Sequence, residues 1–399
     1  MRAYLDNAAT TAADPLVLKE MLPYFTRKYG NASSLHSMGR EASEAVEAAR
    51  KRVSSLIGAS PAEIIFTSGG TESDNLAIRG ALARTGKKHI ITTNIEHPAV
   101  LEVFKSLEAQ GFTATYLKAN QEGLVSPEQV SSAITRETAL VSIMHANNEI
   151  GTIQPIAGIG KICRERDVIF HTDAVQSAGK VPLDVKRMGI SLLSLSSHKL
   201  HGPKGVGALF VSQGIKLNPL FSGGGHESGI RPGTENVPGI AGFGKACQLS
   251  ARGMEKNSAR MKKLRDRLIR GLLRLEETHL NGSWEKRLPN NANLRFLGVE
   301  GESLLALLDD AGIYVSTGSA CSSKKLEPSH VLLALGMPAW QAHGSLRLTL
   351  SRFTSAKEID YAMEKLPPTV SRLRKMSPVW KRLKANEQIK EVWHERHLH

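Results

Sequence analysis

Short apolar runs alternate with helix-like patterns through residues 60–215, and this alternation constrains the fold of the 399-residue chain more than any other feature. Apolar runs separated by helices are typical of a mostly parallel sheet that is covered by helices on both faces. We therefore predict an α/β fold whose ligand site lies beyond the carboxyl ends of the strands. The predicted strands are Ile64–Thr67, His89–Thr93, Ala139–Met144, Val168–Thr172, Leu192–Ser196 and Gly207–Val211.

A change in composition after Gly239–Cys247 indicates a second, smaller α/β region. Proline suits the first turn of a helix and glycine suits its C-terminal end, so Pro328 and Gly336 are expected to bound one helix of this region. The other predicted elements are a long basic helix at 252–277, a helix near 302–311 and a short strand at Ile313–Val315.

Composition restricts the class of protein. Lys and Arg exceed Asp and Glu by 14, which favours acidic partners. In the basic stretch 252–274, Leu and Met recur at helical spacing, so we interpret it as the solvent-exposed face of a helix rather than a nucleic-acid surface. Three widely spaced cysteines predict neither disulfides nor a metal site. Without a secretory signal or an apolar membrane-spanning run, we expect a cytoplasmic protein.

One motif predicts a site that binds phosphate, and a second motif supplies a carboxylate that can bind a ring nitrogen. In FTSGGTESDN, Gly70 and Thr71 lie between a strand and a helix, where unpaired N–H groups suit a phosphate. An ordinary capped turn is the alternative. In FHTDAVQSAGK, Asp173 follows a strand and can hold a protonated ring nitrogen, with Gln176 spaced to face the same ligand. Helix capping by Asp173 is the alternative here.

Two further residues suggest covalent chemistry. Lys199 follows an apolar strand in SLSSHKLHGPKG, where partial desolvation lowers an amine's pKa and favours a Schiff base. A surface-loop lysine is the alternative. Cys321 lies in VSTGSACSSKK beside Lys324 and Lys325, whose charge favours the thiolate. The other two cysteines have partly apolar surroundings, and we assign them no chemistry.

Two strand-end residues complete the candidate site. His97, in TTNIEHPAV, is placed to stack on a flat cofactor and to move protons near neutral pH, or to cap a helix. Asn148, in MHANNEIGT, is placed to hydrogen-bond a ligand oxygen, or to form a turn.

In this order and spacing, the motifs resemble the cysteine desulfurases of the NifS/IscS type. These form a branch of the fold-type I pyridoxal-phosphate (PLP) enzymes in the class-V aminotransferase family. The resemblance runs from YLDNAATT at 4–11 to LRLTLSRFT at 346–354, and its most specific pieces are HTDAVQS, SSHK and GSACSS. It implies PLP as cofactor, L-cysteine as substrate and no metal. It also implies a large PLP-binding domain over residues 12–251 and a small domain formed by residues 1–11 and 252–399.

Roles follow from the resemblance by matched position. Lys199 would carry the cofactor, Asp173 would pair with the ring nitrogen, and His97 would stack on the ring and take part in proton transfer. Arg347 would clamp the substrate carboxylate, since a guanidinium binds it in bidentate fashion. Thr234, in GGGHESGIRPGTEN, would reach the phosphate of a partner subunit, which implies a homodimer. The implied phosphate ligands are Gly70, Thr71, Ser196 and His198. The residues implied to face the phenolic oxygen are Asn148 and Gln176, and Asn148 would also contact the substrate.

The resemblance also implies the sulfur chemistry. The thiolate of Cys321 would take the substrate sulfur as a persulfide, and L-alanine would leave. VSTGSACSS fits the branch that passes sulfur to an iron–sulfur scaffold protein through its C-terminal region. The basic tail Ser371–His399 would suit an acidic partner surface, although a solvated helical tail is an equal alternative, and nothing beyond Asn386 matches the family.

Two other functions compete. An aminotransferase for small amino acids would need Lys199 and Asp173 but not Cys321. A non-catalytic scaffold on the same fold could have lost Lys199 or Cys321, and this chain has lost neither. The sequence leaves open whether sulfur goes to general cluster assembly, nitrogenase or RNA thiolation, and whether selenocysteine is also used.

Overall fold

The computed structural model describes residues 1–318 and 328–385, so Cys321, Lys324, Lys325 and the tail from residue 386 lie outside the described residues. The strands are β1 (Ala3–Tyr4), β2 (Ile64–Thr67), β3 (His89–Thr93), β4 (Thr113–Leu117), β5 (Thr138–Ser142), β6 (Ile169–Asp173), β7 (Leu192–Ser196), β8 (Gly207–Val211), β9 (Thr278–Leu280), β10 (Asn291–Phe296), β11 (Ile313–Tyr314) and β12 (Ser345–Thr349). The helices are α1 (Pro15–Met21), α2 (Pro23–Thr26), α3 (Ser37–Ile57), α4 (Gly70–Leu82), α5 (Pro98–Glu108), α6 (Pro127–Ala133), α7 (Ile156–Glu165), α8 (Val237–Leu272), α9 (Gly301–Asp310), α10 (His330–Ala334), α11 (Ala339–Ala342), α12 (Ala356–Met376) and α13 (Pro378–Lys384). Short 3-10 helices cover Pro61–Glu63, Ser197–Lys199 and His226–Gly229.

A seven-stranded sheet in the order β2-β8-β7-β6-β5-β3-β4 forms the centre of the fold. Only β8 runs antiparallel to its neighbours, so the predicted mostly parallel α/β sheet is confirmed. Four predicted strands have the observed bounds. Strand β5 begins one residue earlier and ends two residues earlier than predicted, and β6 is shifted by one residue at both ends. The edge strand β4 was not predicted, because its TATYL sequence is partly exposed and lacks an apolar run.

Apolar side chains cover both faces of this sheet. Successive residues of one strand enter different apolar clusters: Ile90 packs on one face and Ile91 on the other, and Leu140 and Val141 divide in the same way. This alternation follows from the two-residue period of a strand. Helices α3 and α8 pack against each other on the face of Ile91, with Phe243 of α8 in the same cluster, so both sheet faces are buried.

Helix α8 corrects the prediction of a helix at 252–277. It begins at Val237, where Asn236 caps it, and continues without interruption to Leu272. Its first half is rich in small residues because other helices approach closely. A Cβ on Gly244 would lie 2.5 Å from the Cα of Ala49. The predicted domain boundary at residue 251 therefore lies inside one helix.

A separate apolar cluster underlies the second region. It combines Ala3 and Leu5 with residues of the C-terminal half of α8 and of strands and helices up to Val370. Strands β12, β10 and β9 form an antiparallel sheet, and β1 pairs in parallel with β11. This separate cluster supports the division into two domains, which we retain as a proposal. Helix α10 begins at His330 rather than Pro328, because Ser329 caps it. Among the described helices, none is long and apolar enough to cross a membrane.

Candidate active site

A cleft of about 430 Å³ opens at the carboxyl edge of the parallel strands. Asp173 is the last residue of β6, Ser196 is the last of β7, and Gly70 begins α4. Their arrangement agrees with the rule that ligands bind beyond the ends of parallel strands. The predicted site residues that line this cleft are Gly70, Thr71, His97, Asn148, Asp173, Gln176, Ser196, His198, Lys199 and Arg347.

Lys199 ends the short 3-10 helix that follows β7 and is half-buried. Its Nζ donates to the carbonyl oxygens of Ala8 at 2.6 Å and Ala9 at 2.8 Å. The N-terminal segment is fixed at the same place, because Thr11 Oγ1 donates to the carbonyl of His198 at 2.7 Å. The lysine amine is thereby held inside the cleft, so the surface-loop alternative does not describe it.

Asp173 presents a buried carboxylate to the cleft. One oxygen accepts the backbone N–H of Val175 at 2.8 Å. Burial raises the pKa of Asp173 to about 6, although that hydrogen bond and the charge of Lys199 oppose the rise. A cationic N–H group beside this carboxylate would offset the cost of burial. Residues 175–180 form turns rather than a helix, so the hydrogen bond from Val175 closes a turn and the helix-capping alternative is wrong, while the carboxylate lines the cleft.

The N-terminus of α4 forms one end of the cleft. Gly69 has a φ of 155° and offers no side-chain cap to the helix. A Cβ on Gly70 would lie 2.9 Å from Cγ2 of Val175, so glycine allows the helix end to approach the cleft closely. Unpaired N–H groups at such an end attract anions. Thr71, Ser196 and His198 surround this end and supply further polar atoms.

Two neutral histidines border the cleft. Burial lowers the pKa of His97 to about 4, helped by the charge of Lys199, and the same causes lower that of His198 to about 4. Nδ1 of His97 accepts the N–H of Ala99 at 3.1 Å, which leaves the ring proton on Nε2. Nδ1 of His198 lies 3.0 Å from Oγ1 of Thr10. At neutral pH both rings therefore act as hydrogen-bonding groups rather than cations.

Arg347, on strand β12, also lines the cleft. It is 3% exposed. Its Nη2 donates to Oδ1 of Asp6 at 2.8 Å, and its Nη1 donates to the carbonyl of Asn148 at 3.2 Å. Its Nε is buried without a hydrogen-bond partner in the described part of the chain. The guanidinium thus retains donors for a carboxylate. Gln176 is also fixed, since its Nε2 donates to the carbonyl of Ala8 at 2.9 Å.

Two predicted residues are not among the lining residues. Thr234 is exposed and does not line the cleft of its own chain. Cys321 lies outside the described residues, although Gly318, three residues before it, lines the cleft. The two remaining cysteines, Cys163 and Cys247, are buried, and burial raises the pKa of both thiols, that of Cys163 to about 12.

Sequence reasoning missed several residues that line the cleft. Ala8 and Ala9 contribute carbonyl oxygens, which no side-chain motif could indicate. Asp74, Glu149 and His330 contribute side chains from three different segments. Asp74 lies in FTSGGTESDN with Thr71, and Glu149 lies in MHANNEIGT with Asn148, so their positions in these motifs could have indicated that they line the cleft. No local pattern marks His330.

The residues that line the cleft fit PLP. A buried carboxylate, a lysine and a helix N-terminus match a flat ring with a protonatable nitrogen, an aldehyde and a phosphate. Within residues 1–318 and 328–385, no group of three or more His, Cys, Asp or Glu side chains is placed to hold a metal ion.

Comparisons with known proteins agree with this geometry. Residues 3–362 match the model of the aminotransferase class-V family. The chain is 53% identical over 378 residues to the cysteine desulfurase IscS of Methanosarcina thermophila, covering 94% of each chain. A solved NifS-like protein superposes with a TM-score of 0.88 at 40% identity, over 93% of this chain and all of the other. The structure named SspA in complex with cysteine has a TM-score of 0.79 at 37% identity, over 88% of this chain and all of the other.

Proposed function

This chain belongs to the class-V aminotransferase family, and from that premise we propose how its residues divide the work of a cysteine desulfurase. The enzyme uses PLP and converts L-cysteine to L-alanine. The observation that carries the proposal is the convergence of Lys199, Asp173 and Arg347 on one cleft, beside the N-terminus of α4.

The cofactor would be held at three points. Lys199 would bind it covalently through Nζ, Asp173 would pair with the ring nitrogen, and His97 would lie against the ring. When bound, PLP supplies an electron-accepting ring that tolerates loss of a proton from the substrate Cα. The residues proposed to hold its phosphate are Gly70, Thr71, Ser196 and His198. Those proposed to face its phenolic oxygen are Asn148 and Gln176.

The substrate would be oriented by Arg347, whose remaining N–H donors bind its carboxylate, with Asn148 beside it. The amine of Lys199 would also move the proton at the substrate Cα. The thiolate of Cys321 would then attack the substrate sulfur. A sulfur–sulfur bond forms, the Cβ–sulfur bond breaks, and Cβ keeps the electron pair and gains a proton to become the methyl group of alanine.

The assembly and the acceptor are also proposals. We propose a homodimer in which the exposed Thr234 reaches the phosphate site of the partner subunit. We further propose that an iron–sulfur scaffold protein receives the sulfur near the C-terminal tail. Arg374 does not serve this docking, because it is buried and its Nε donates to the carbonyl of Leu297 at 3.0 Å. Between Ser371 and residue 385, where the described part of the tail ends, the exposed basic residues are Arg372, Lys375, Lys381, Arg382 and Lys384. A cytoplasmic location is supported by free, buried cysteines.

Replacing Cys321 with serine tests the sulfur step. Cys321→Ser should bind PLP and L-cysteine normally, because those steps depend on other residues. Alanine formation should stop, because a serine hydroxyl stays protonated and attacks sulfur poorly. After exposure to cysteine, mass spectrometry of the native chain should find one added sulfur on the Cys321 peptide.

The matched controls are Cys163→Ser and Cys247→Ser, which remove buried thiols with raised pKa and should leave alanine release close to normal. Continued alanine release by Cys321→Ser, or a persulfide mainly on a buried cysteine, would contradict the assignment. Amino transfer to a keto acid by that variant would then favour the aminotransferase function.

A further inference from the structure

Glu149 is a buried acid that the proposed chemistry does not use. It follows Asn148, lines the cleft and is 4% exposed. Its backbone is firmly placed, because its N–H donates to Oδ1 of Asn147 at 2.8 Å. Its carbonyl accepts the side-chain amides of Asn291 at 2.9 Å and Asn293 at 3.1 Å, both on β10. The backbone that carries the carboxylate is therefore tied to strand β10.

The carboxylate of Glu149 contacts Gly318, the last described residue before the segment 319–327. The Ser316 backbone pairs with that of Arg347, and the N–H of Gly318 donates to Oγ of Ser316 at 3.1 Å. A Cβ on Gly318 would lie 2.8 Å from Oε2 of Glu149, so this oxygen packs directly against the glycine. Gly318 also has a φ of 96°, which favours glycine.

The same oxygen contacts Ser329, which follows the segment. The Ser329 hydroxyl donates to Oε2 of Glu149 at 2.5 Å, while Ser329 also caps α10 by accepting the N–H of Leu332. His330 is held next to it, with Nε2 placed 2.9 Å from the carbonyl of Glu96. One carboxylate oxygen thus joins the two ends of the segment that carries Cys321.

We propose that Glu149 is a positioning residue for sulfur transfer, whose carboxylate holds Gly318 and Ser329 together. The inference rests on the proposed function, because it takes Cys321 as the residue that accepts sulfur. Glu149 would not touch the reacting atoms and would act through Cys321. Burial raises the pKa of Glu149, while Ser329, His330 and Arg347 oppose the rise, so its neighbours favour the hydrogen-bonding carboxylate. A shift of about 1 Å in a reacting group can slow a reaction ~100-fold.

The test is a double-mutant cycle on the holoenzyme with Glu149→Ala, Ser329→Ala and the double variant. Cysteine binding, followed by the change in cofactor absorbance, should stay within about twofold of wild type, and single-turnover alanine formation should fall about tenfold or more in Glu149→Ala. Because the two side chains act through one bond, the double variant should be no slower than Glu149→Ala. Glu149→Gln keeps an acceptor oxygen for Ser329 and should recover the rate to within about threefold of wild type.

The matched control is Ser126→Ala, which removes a hydroxyl that caps helix α6, away from the cleft. It should leave the single-turnover rate unchanged, so that loss of a helix cap alone does not explain the effect of Ser329→Ala. A wild-type rate in Glu149→Ala, or additive effects in the double variant, would overturn the inference.

Two other outcomes are also decisive. If Glu149→Ala fails to retain cofactor, the single-turnover rates of Glu149→Gln and Ser329→Ala are compared instead. A near-wild-type rate for Glu149→Gln with a reduced rate for Ser329→Ala supports the inference. Equal rates for these two variants overturn it. If wild type forms no alanine and no persulfide on Cys321, the proposed function itself fails, whatever the variants do.

Discussion

Replacing Arg347 with alanine tests the recognition of the substrate carboxylate. The guanidinium is nearly inaccessible, and each Nη atom donates one hydrogen bond, to Asp6 or to the carbonyl of Asn148. Its Nε has no hydrogen-bond partner among the described residues. The side chain is therefore fixed in place with donors to spare, as a preorganised carboxylate site requires.

The expected magnitude follows from these donors. Two hydrogen bonds to a charged group contribute about 1.5–3 kcal/mol each, and water recovers part of that when the guanidinium is removed. We expect Arg347→Ala to lose about 3–4 kcal/mol of transition-state binding, which is a ~100- to 1,000-fold fall in kcat/KM for L-cysteine. Arg347→Lys keeps the charge but loses the planar fork, so it should recover only part of this.

Cysteamine, which lacks the carboxylate, provides the control ligand. Binding of each ligand is measured from the change in cofactor absorbance, and alanine release gives kcat/KM for L-cysteine. Arg347→Ala should weaken the binding of L-cysteine and leave that of cysteamine nearly unchanged. An equal loss for both ligands would mean that the variant disrupts the cleft through Asp6, and it would refute the carboxylate assignment.

Two further predictions concern the attachment lysine and acid stability. Lys199→Ala should abolish alanine release and leave no PLP on the chain after borohydride reduction. Lys204→Ala, which changes an exposed lysine five residues further along the chain, should retain both. Turnover of Lys199→Ala at the wild-type rate would rule out Lys199 as the attachment residue. Burial lowers the pKa of His171 to about 3, so this histidine is neutral in the folded chain. Below pH ~6.5 the unfolded chain binds a proton at this histidine and the folded chain does not. The free energy of unfolding therefore falls by about 1.4 kcal/mol per pH unit as the pH decreases from ~6.5 towards 3. The free energy of unfolding in urea should therefore decrease less between pH 7 and 5 for His171→Gln than for wild type, and parallel curves would contradict this origin.

The sheet could be predicted from sequence because its strands are apolar on both faces. The runs at Ile64–Thr67 and Leu192–Ser196 have the observed bounds, and the site residues at their ends follow from the parallel-sheet rule. The start of α8 could not be predicted in the same way. Its first turns contain Gly239, Gly242 and Gly244, which disfavour a helix in isolation. Contacts with other helices stabilise it, and these arise only in the folded chain.

The residues of the candidate site also fall into those that local sequence indicates and those that depend on long-range packing. Lys199 and Asp173 lie in motifs whose residue types indicate their chemistry, so sequence sufficed to select them. His330 and the carbonyl oxygens of Ala8 and Ala9 reach the cleft only through long-range packing. Glu149 lay in a recognised motif, yet its contacts with Gly318 and Ser329 depend on segments about 170 residues away along the chain.

The pairing of β1 with β11 has a consequence for biosynthesis. Ala3 is paired with Ile313, and the carbonyl of Leu5 accepts the N–H of Thr349 at 2.6 Å, so the earliest residues depend on partners made about three hundred residues later. At ~5–20 residues per second, roughly 15 to 60 s separate the two on the ribosome. The carbonyls that receive the Lys199 amine are carried by this same early segment. The cleft is therefore expected to be completed only after Thr349 has been made, with cofactor capture following that step.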